Sequence, residues 1–302
     1  MSTIAADARL AHSRTQARTR WTVLRRRYLA AAGVVVLSAL IVVWTITPIY
    51  NMVLISLEPE GDVFTDHILP RVPSFESFWG VLTQDHWYLE NFWRQFGNSL
   101  YIGAMVTFFA LLFGTLTSFS IGRMRIRHGW LVSNAALLTY VIPASFLAIP
   151  FYRIMQNYGM ANNPWSVIAS VVAFATPYAI FVFREYGRSI PIEIDESARI
   201  DGASPPQIYF RIYLPLMAPA LVAVGTYALL LSWNEFLYQF LLLSSTKSMT
   251  VPVALAQFLN SDQSPWNYMM ATAIVYAVPP VVIYYLFRRR MSAGLTMGGV
   301  KG

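Results

Sequence analysis

A run of ionisable side chains of both signs lies between Arg184 and Arg211. Glu185, Glu193, Asp195, Glu196 and Asp201 are five of the chain's fifteen acids, interleaved with Arg188 and Arg199. Carboxylates grouped this way can act as acid and base, gather a metal, or meet a protein partner. No carboxylate pair has a separation suited to acid–base work on one substrate. The four histidines, His12, His67, His86 and His128, are scattered without ligand spacing, and there is no cysteine. A metal centre and a disulfide framework are therefore not expected. No G-x-x-x-x-G-K-[ST] occurs, and neither lysine, Lys247 or Lys301, follows a glycine-rich loop, so the chain has no Walker A site for ATP. H-E-x-x-H and G-x-S-x-G are also missing. The run reads as a docking piece rather than a reactive centre, and the chain as a non-enzyme.

Local signals give that piece a shape. Ile192 to Asp201 carries its acids early and Arg199 late, the order a helix dipole favours. Gly202 supplies a stop, since positive φ is cheap there. Ser204-Pro205-Pro206-Gln207 then reads as a second start, with Ser204 as N-cap, Pro205 in the first turn and Gln207 completing a capping box. The spacing predicts two short helices around a glycine elbow, the second reaching about Tyr213. The competing reading is an ordinary solvated loop.

The elements that position it are apolar. The chain is 56% hydrophobic and only 12% charged, against about 25% charged in soluble domains. Apolar runs near twenty residues long predict an all-α polytopic membrane protein. Six spans are expected, at about Tyr28–Leu57, Phe96–Gly122, Trp130–Met155, Pro164–Tyr186, Leu214–Leu237 and Tyr268–Phe287. Pro143 and Pro150 kink or shorten the third. The first run is too long for a secretory signal core, so it reads as an uncleaved helix.

Eighteen of the twenty-two basic residues fall in residues 1–27, the 123–127 loop, the 184–211 stretch and the 288–302 tail. That is the positive-inside pattern, with both termini cytoplasmic, and it explains the +7 charge without a nucleic-acid partner. Residues 1–27 read as a basic, mostly flexible tail, and 28–287 as the transmembrane domain. Residues 58–95 hold seven acids and read as an external loop of short helices and turns, closed by an interfacial belt of Trp79, Trp87, Phe92 and Trp93. Residues 188–213 form the cytoplasmic loop and 238–267 a second external one. Glu235 lies near the outer end of the fifth span. An intramembrane acid is a functional candidate by default; the other reading is a structural group bonded to a neighbouring segment.

Glu196-Ser197-Ala198, Asp201-Gly202-Ala203 and Ile212-Tyr213-Leu214-Pro215 together resemble the EAA loop of ABC importer permeases, roughly E-A-A-x-x-x-G with I-x-L-P downstream. Ser197 replaces the first alanine, a small-for-small change. Asn98-Ser99-Leu100, Arg123-Met124-Arg125, Trp233-Asn234-Glu235-Phe236, Thr250-Val251-Pro252-Val253-Ala254-Leu255 and the ending Gly294 to Gly302 are similar to the carbohydrate, MalG-type branch. The resemblance runs from about residue 28 to the C-terminus.

It implies a type I ABC importer fold in a bacterial inner membrane, and a permease subunit that forms half of a translocation pathway by alternating access. It implies as partners a second, MalF-type permease, an ATPase dimer that binds ATP and Mg, and an extracytoplasmic solute-binding protein. This chain itself would hold no cofactor. Carried over, Glu196, Ser197, Ala198, Asp201, Gly202 and Ala203 couple to the ATPase. Gly298, Gly299, Val300 and Lys301 extend along the ATPase interface. Asn260, Ser261, Asp262, Gln263 and Ser264 match the loop that displaces sugar from the binding protein.

Sugars are held by hydrogen bonds and aromatic stacking, which makes Tyr140, Tyr178, Tyr227, Ser232, Trp233, Asn234 and Glu235 possible pathway residues, each with packing as the plainer alternative. An importer for a polyol, or for a sulfonated or phosphorylated sugar, shares all these features. A non-transporting membrane scaffold is the rival from another class.

Overall fold

The computed structural model describes residues 2–59, 67–70, 72–124, 126–260 and 264–296, and among them every regular element is helical. Helix α1 (Ser2–Ser56) is unbroken. The basic tail expected to be flexible is therefore helical in its backbone. Neither Gly nor Pro occurs before Gly33, and alanine and arginine are strong helix formers, so nothing stops the helix of the first span from extending toward the N-terminus.

The acidic segment between the first two spans contributes α2 (Glu76–Thr83) and a single turn at Trp87–Leu89. Of its aromatic belt, Trp79, Trp87 and Trp93 are exposed, whereas Phe92 is buried in the core. The second span is α3 (Phe92–Arg123).

The third span is broken. Helices α4 (Gly129–Leu138) and α5 (Ala144–Asn157) meet at 101°. Pro143 forces the break by driving Ile142 into extended backbone, φ −89° and ψ 118°. Pro150 lies within α5 without ending it. Helix α6 (Pro164–Gly187) is the fourth span, N-capped by Asn163, whose Oδ1 accepts from the Trp165 N–H at 3.0 Å.

The polar stretch folds into α7 (Glu193–Ile200) and α8 (Pro205–Leu216), and α8 turns by 78° into α9 (Ala218–Trp233). The fifth span ends at Trp233 rather than near Leu237, so Glu235 falls in the connection to α10 (Leu237–Leu242). Helix α11 (Val251–Gln257) and the last span, α12 (Trp266–Thr296), complete the chain. Among the described residues four helices are long and apolar enough to cross a bilayer, and counting each bent pair as one span brings the number to six.

The core forms where α3 meets α6. Ile102, Val106 and Ala110 pack on Val167, Val171 and Ala175. A Cβ on Gly114 would stand 2.7 Å from Ala179 Cβ, so glycine is what lets these two helices approach. Helix α9 covers α3, while α1 leans on α12 and otherwise leaves its apolar surface exposed.

Two widely separated motifs meet at the N-terminal end of α3. Asn98 Nδ2 donates to the carbonyls of Lys247 (2.9 Å) and Met249 (2.8 Å), and Ser99 Oγ accepts from the Val251 N–H at 3.1 Å. Gln95 and Arg94 bond the carbonyls of Thr246 and Lys247. The start of α3 therefore holds the loop that launches α11.

Candidate coupling site and tyrosine cluster

Helix α7 ends as its sequence dictates. The Ala203 N–H reaches back to the Ala198 carbonyl at 2.9 Å and the Gly202 N–H to Arg199 at 3.1 Å. Gly202 has φ +84°. These bonds make a Schellman motif, in which the residue after the glycine also packs against the helix's last turn. Ala198 and Ala203 do so, lying together against the cluster of Phe119, Phe183, Ile208 and Tyr213. Small residues at both positions let the elbow close onto that cluster. The second start also forms. The Ser204 N–H donates to Gln207 Oε1 at 2.7 Å, with Pro205 in the first turn.

The elbow has two faces. Ala198 and Ala203 turn inward, while Glu196, Ser197, Asp201 and Gly202 are exposed. Ile200 is 87% exposed and Phe210 66%. These two apolar side chains were not singled out in the sequence. The signal was there, since Ile200 stands alone among polar neighbours next to the elbow.

Asp195 was also missed. It is 1% exposed, and its Oδ2 lies 3.2 Å from Arg123 Nε at the end of α3. The contact is charge against charge, because Oδ2 lacks hydrogen-bond geometry. Arg123 further donates to the carbonyls of Gly187 (3.1 Å) and Ile190 (3.0 Å), and Arg199 donates to the Arg123 carbonyl at 2.9 Å. A cavity of about 650 Å³ borders this junction, lined by Arg123, Arg184, Arg188 and Glu193 among others.

Helix α8 continues the attachment through a π turn at Tyr209–Tyr213, where the Leu214 N–H bonds Tyr209 rather than the carbonyl four back. Tyr209 Oη lies 2.7 Å from Thr115 Oγ1, and Tyr213 Oη 2.8 Å from Ser118 Oγ. Such turns recur at functional sites in helices.

Of the proposed pathway residues, three come together. Tyr178 on α6 and Tyr227 on α9 have ring centroids 4.1 Å apart. Tyr140, in the break of the third span, donates from Oη at 2.8 Å to the carbonyl of Phe174, on the same helix as Tyr178. Tyr140 is 50% and Tyr178 36% exposed.

The others lie elsewhere. Trp233 is buried, stacked on Tyr276 at 4.6 Å and set edge-on to Phe96. Ser232 is buried, and Asn234 bonds back to the Leu230 carbonyl. Glu235 caps α10, accepting the N–H groups of Tyr238 (2.8 Å) and Gln239 (3.0 Å). Its geometry is that of the structural reading.

Between α11 and α12, Asn260 is exposed and Ser264 Oγ donates to the Phe258 carbonyl. Ser261, Asp262 and Gln263 lie outside the described residues, as do Gly298, Gly299, Val300 and Lys301.

Comparison with known proteins places this architecture. The chain is 31% identical over 269 residues to the trehalose transport system permease protein SugB of Mycobacterium tuberculosis, covering 88% of this chain and 96% of that one. It is 31% identical to the arabinooligosaccharides transport system permease protein AraQ of Halalkalibacterium halodurans, covering 84% and 91%. In fold it matches a chain of a bacterial ABC transporter that imports the acidic polysaccharide alginate, with a TM-score of 0.71 at 21% identity over 84% of this chain and 95% of that one. The model of binding-protein-dependent transport system inner membrane components matches residues 110–296, a segment that contains the elbow, its π turn and all three clustered tyrosines. The chain belongs to that family: it is a multi-pass inner-membrane permease component of a binding-protein-dependent transport system.

Proposed function

We propose that this chain is one permease subunit of an ATP-driven importer for carbohydrates, in which the exposed face of the α7–α8 elbow docks an ATPase subunit. The observation that carries this is the elbow itself. It is a rigidly capped, two-faced structure whose inner face is bonded to the spans and whose outer face offers Glu196, Ser197, Ile200 and Asp201. The relatives named above include permeases of trehalose and arabinooligosaccharide transport systems, which supports a saccharide as cargo.

ATP and Mg are bound by the ATPase dimer, not by this chain. When the dimer closes, it displaces the elbow, and the bent spans re-pack between outward- and inward-open arrangements. A second permease supplies the other half of the pathway. The basic segments lie on the cytoplasmic side, with both termini there. Asn260 to Ser264 faces the binding protein, and Gly298 to Lys301 runs along the ATPase interface.

Tyr140, Tyr178 and Tyr227 form the pathway surface of this subunit. Their half-exposed rings give sugar C–H faces something to stack on, and their hydroxyls give hydrogen bonds. Stacking of this kind suits a pyranose ring better than a linear polyol.

The test is uptake into proteoliposomes holding all subunits and the binding protein. Labelled oligosaccharide accumulates inside only when ATP is supplied. Binding-protein-stimulated ATP hydrolysis with no accumulation of any saccharide would point to another solute. Neither hydrolysis nor accumulation would point to a scaffold.

A further inference from the structure

We propose that Arg123 and Asp195 are positioning residues that fasten the coupling helix directly to the cytoplasmic end of α3, so that a displacement of α7 moves α3 without passing through the chain between them. The inference rests on the elbow being the ATPase dock.

Chain connectivity alone is a soft linkage here. Downstream of α7 come the π turn at Tyr209–Tyr213 and the 78° bend between α8 and α9. Upstream lies a short non-helical turn between Gly187 and Glu193, with the cavity at its side. Each can absorb movement. Helix α3 adjoins α7 at neither end in sequence, yet it is the helix on which both α6 and α9 pack.

The fastening is built for the purpose. Ser118 and Phe119 stand three and four residues after Thr115, and Arg123 four after Phe119; all are buried, so they form one stripe of α3. Each polar member of the stripe holds a different part of the loop: Thr115 holds Tyr209, Ser118 holds Tyr213, and Arg123 holds Asp195. The last contact is the strongest commitment. Asp195 and Arg123 have side chains 2% and 5% exposed, and a buried charge without its partner is heavily penalised. Separating α7 from α3 would strand both charges. Arg199 adds a second tie to the Arg123 carbonyl, and the Arg123 guanidinium lies 5.9 Å from the Tyr213 ring centroid. Glu193 and Glu196, on the same helix, are exposed. The acids of α7 thus divide their work, with Asp195 serving the permease and the exposed ones its partner.

The complete importer tests this in proteoliposomes. Asp195→Asn retains the ATPase subunits on purification and still hydrolyses ATP, but saccharide moved per ATP falls about tenfold. Asp195→Glu, which keeps the charge, recovers most of that ratio. An unchanged ratio in Asp195→Asn with docking intact overturns the clamp. Loss of docking in Asp195→Asn would also overturn it, by making Asp195 part of the dock. The docking reading is tested separately by Gly202→Val, whose failure to weaken docking would leave the clamp without its premise.

Should Asp195→Asn not assemble, a second measurement decides. The native chain has no cysteine, so spin labels at Gly122→Cys and Glu193→Cys report one distance within this subunit. The clamp keeps that distance constant between nucleotide-free and ATP-trapped importer. A change of more than one helical turn, about 5 Å, contradicts it.

Discussion

Asn98 Nδ2 lies 2.8 Å from the carbonyl oxygen of Met249, 151 residues away. With its second bond, to Lys247, this side chain makes the N-terminal end of α3 and the loop before α11 one structure. Asn98→Ala leaves two carbonyls without that donor. The expected cost is about 1–3 kcal/mol, local to the loop. Hydrogen exchange at residues 246–251 should rise while the α7–α8 region keeps its protection. Equal loss of protection at both ends would show that the effect is global unfolding.

Gly202 is constrained by conformation rather than by space. A Cβ there meets nothing within 4 Å, but φ is +84°. A β-branched residue pays the left-handed penalty of about 1–2 kcal/mol, whereas asparagine tolerates that region better. ATPase co-purification should therefore fall in the order Gly202, Gly202→Asn, Gly202→Ala, Gly202→Val. An order set by side-chain volume, with asparagine worse than alanine, would contradict the backbone argument.

The cap formed by Glu235 predicts a stability effect without a transport effect. Glu235→Ala removes the acceptor of two N–H groups of α10. The expected loss is about 1 kcal/mol, read as a lower melting temperature of the purified complex. KM for the saccharide-loaded binding protein should not move. A changed KM would restore Glu235 as a pathway residue.

The tyrosine cluster predicts the converse. Tyr227→Ala removes the ring 4.1 Å from Tyr178. Uptake should slow by about three- to tenfold, the scale of one lost aromatic contact, with ATPase docking unchanged. Tyr227→Phe should retain the stacking part. Uptake of Tyr227→Ala at the native rate would remove the cluster from the pathway.

How much of this was legible depended on whether the cause is local. The six spans follow from apolar runs and the placement of arginines, both readable along the chain. The elbow was legible because a glycine stop and a serine–proline start lie within four residues of each other. The break of the third span was legible in Pro143, though its 101° angle was not. What failed needed partners distant in sequence. On an eight-residue helix with acids at 193, 195 and 196, nothing local says which one turns inward; Arg123, across two spans, decides it. Trp233 and Tyr227 both looked like sugar-stacking residues. Their separation rests on Tyr276, which buries one, and Tyr178, which holds the other half-open. The basic tail shows the opposite error, since it reads as flexible although neither Gly nor Pro is there to break a helix.

Energy coupling is decided by what touches the exposed face of the elbow. Ile200 is 87% exposed there, and Asp195, five residues earlier, is buried. In the assembled importer, a crosslinker on Ile200→Cys should capture the ATPase subunit in high yield, with the yield changing when ATP is bound. Capture of lipid alone, or of the solute-binding protein, would contradict the assignment of α7–α8 as the point where ATP-driven motion enters this subunit.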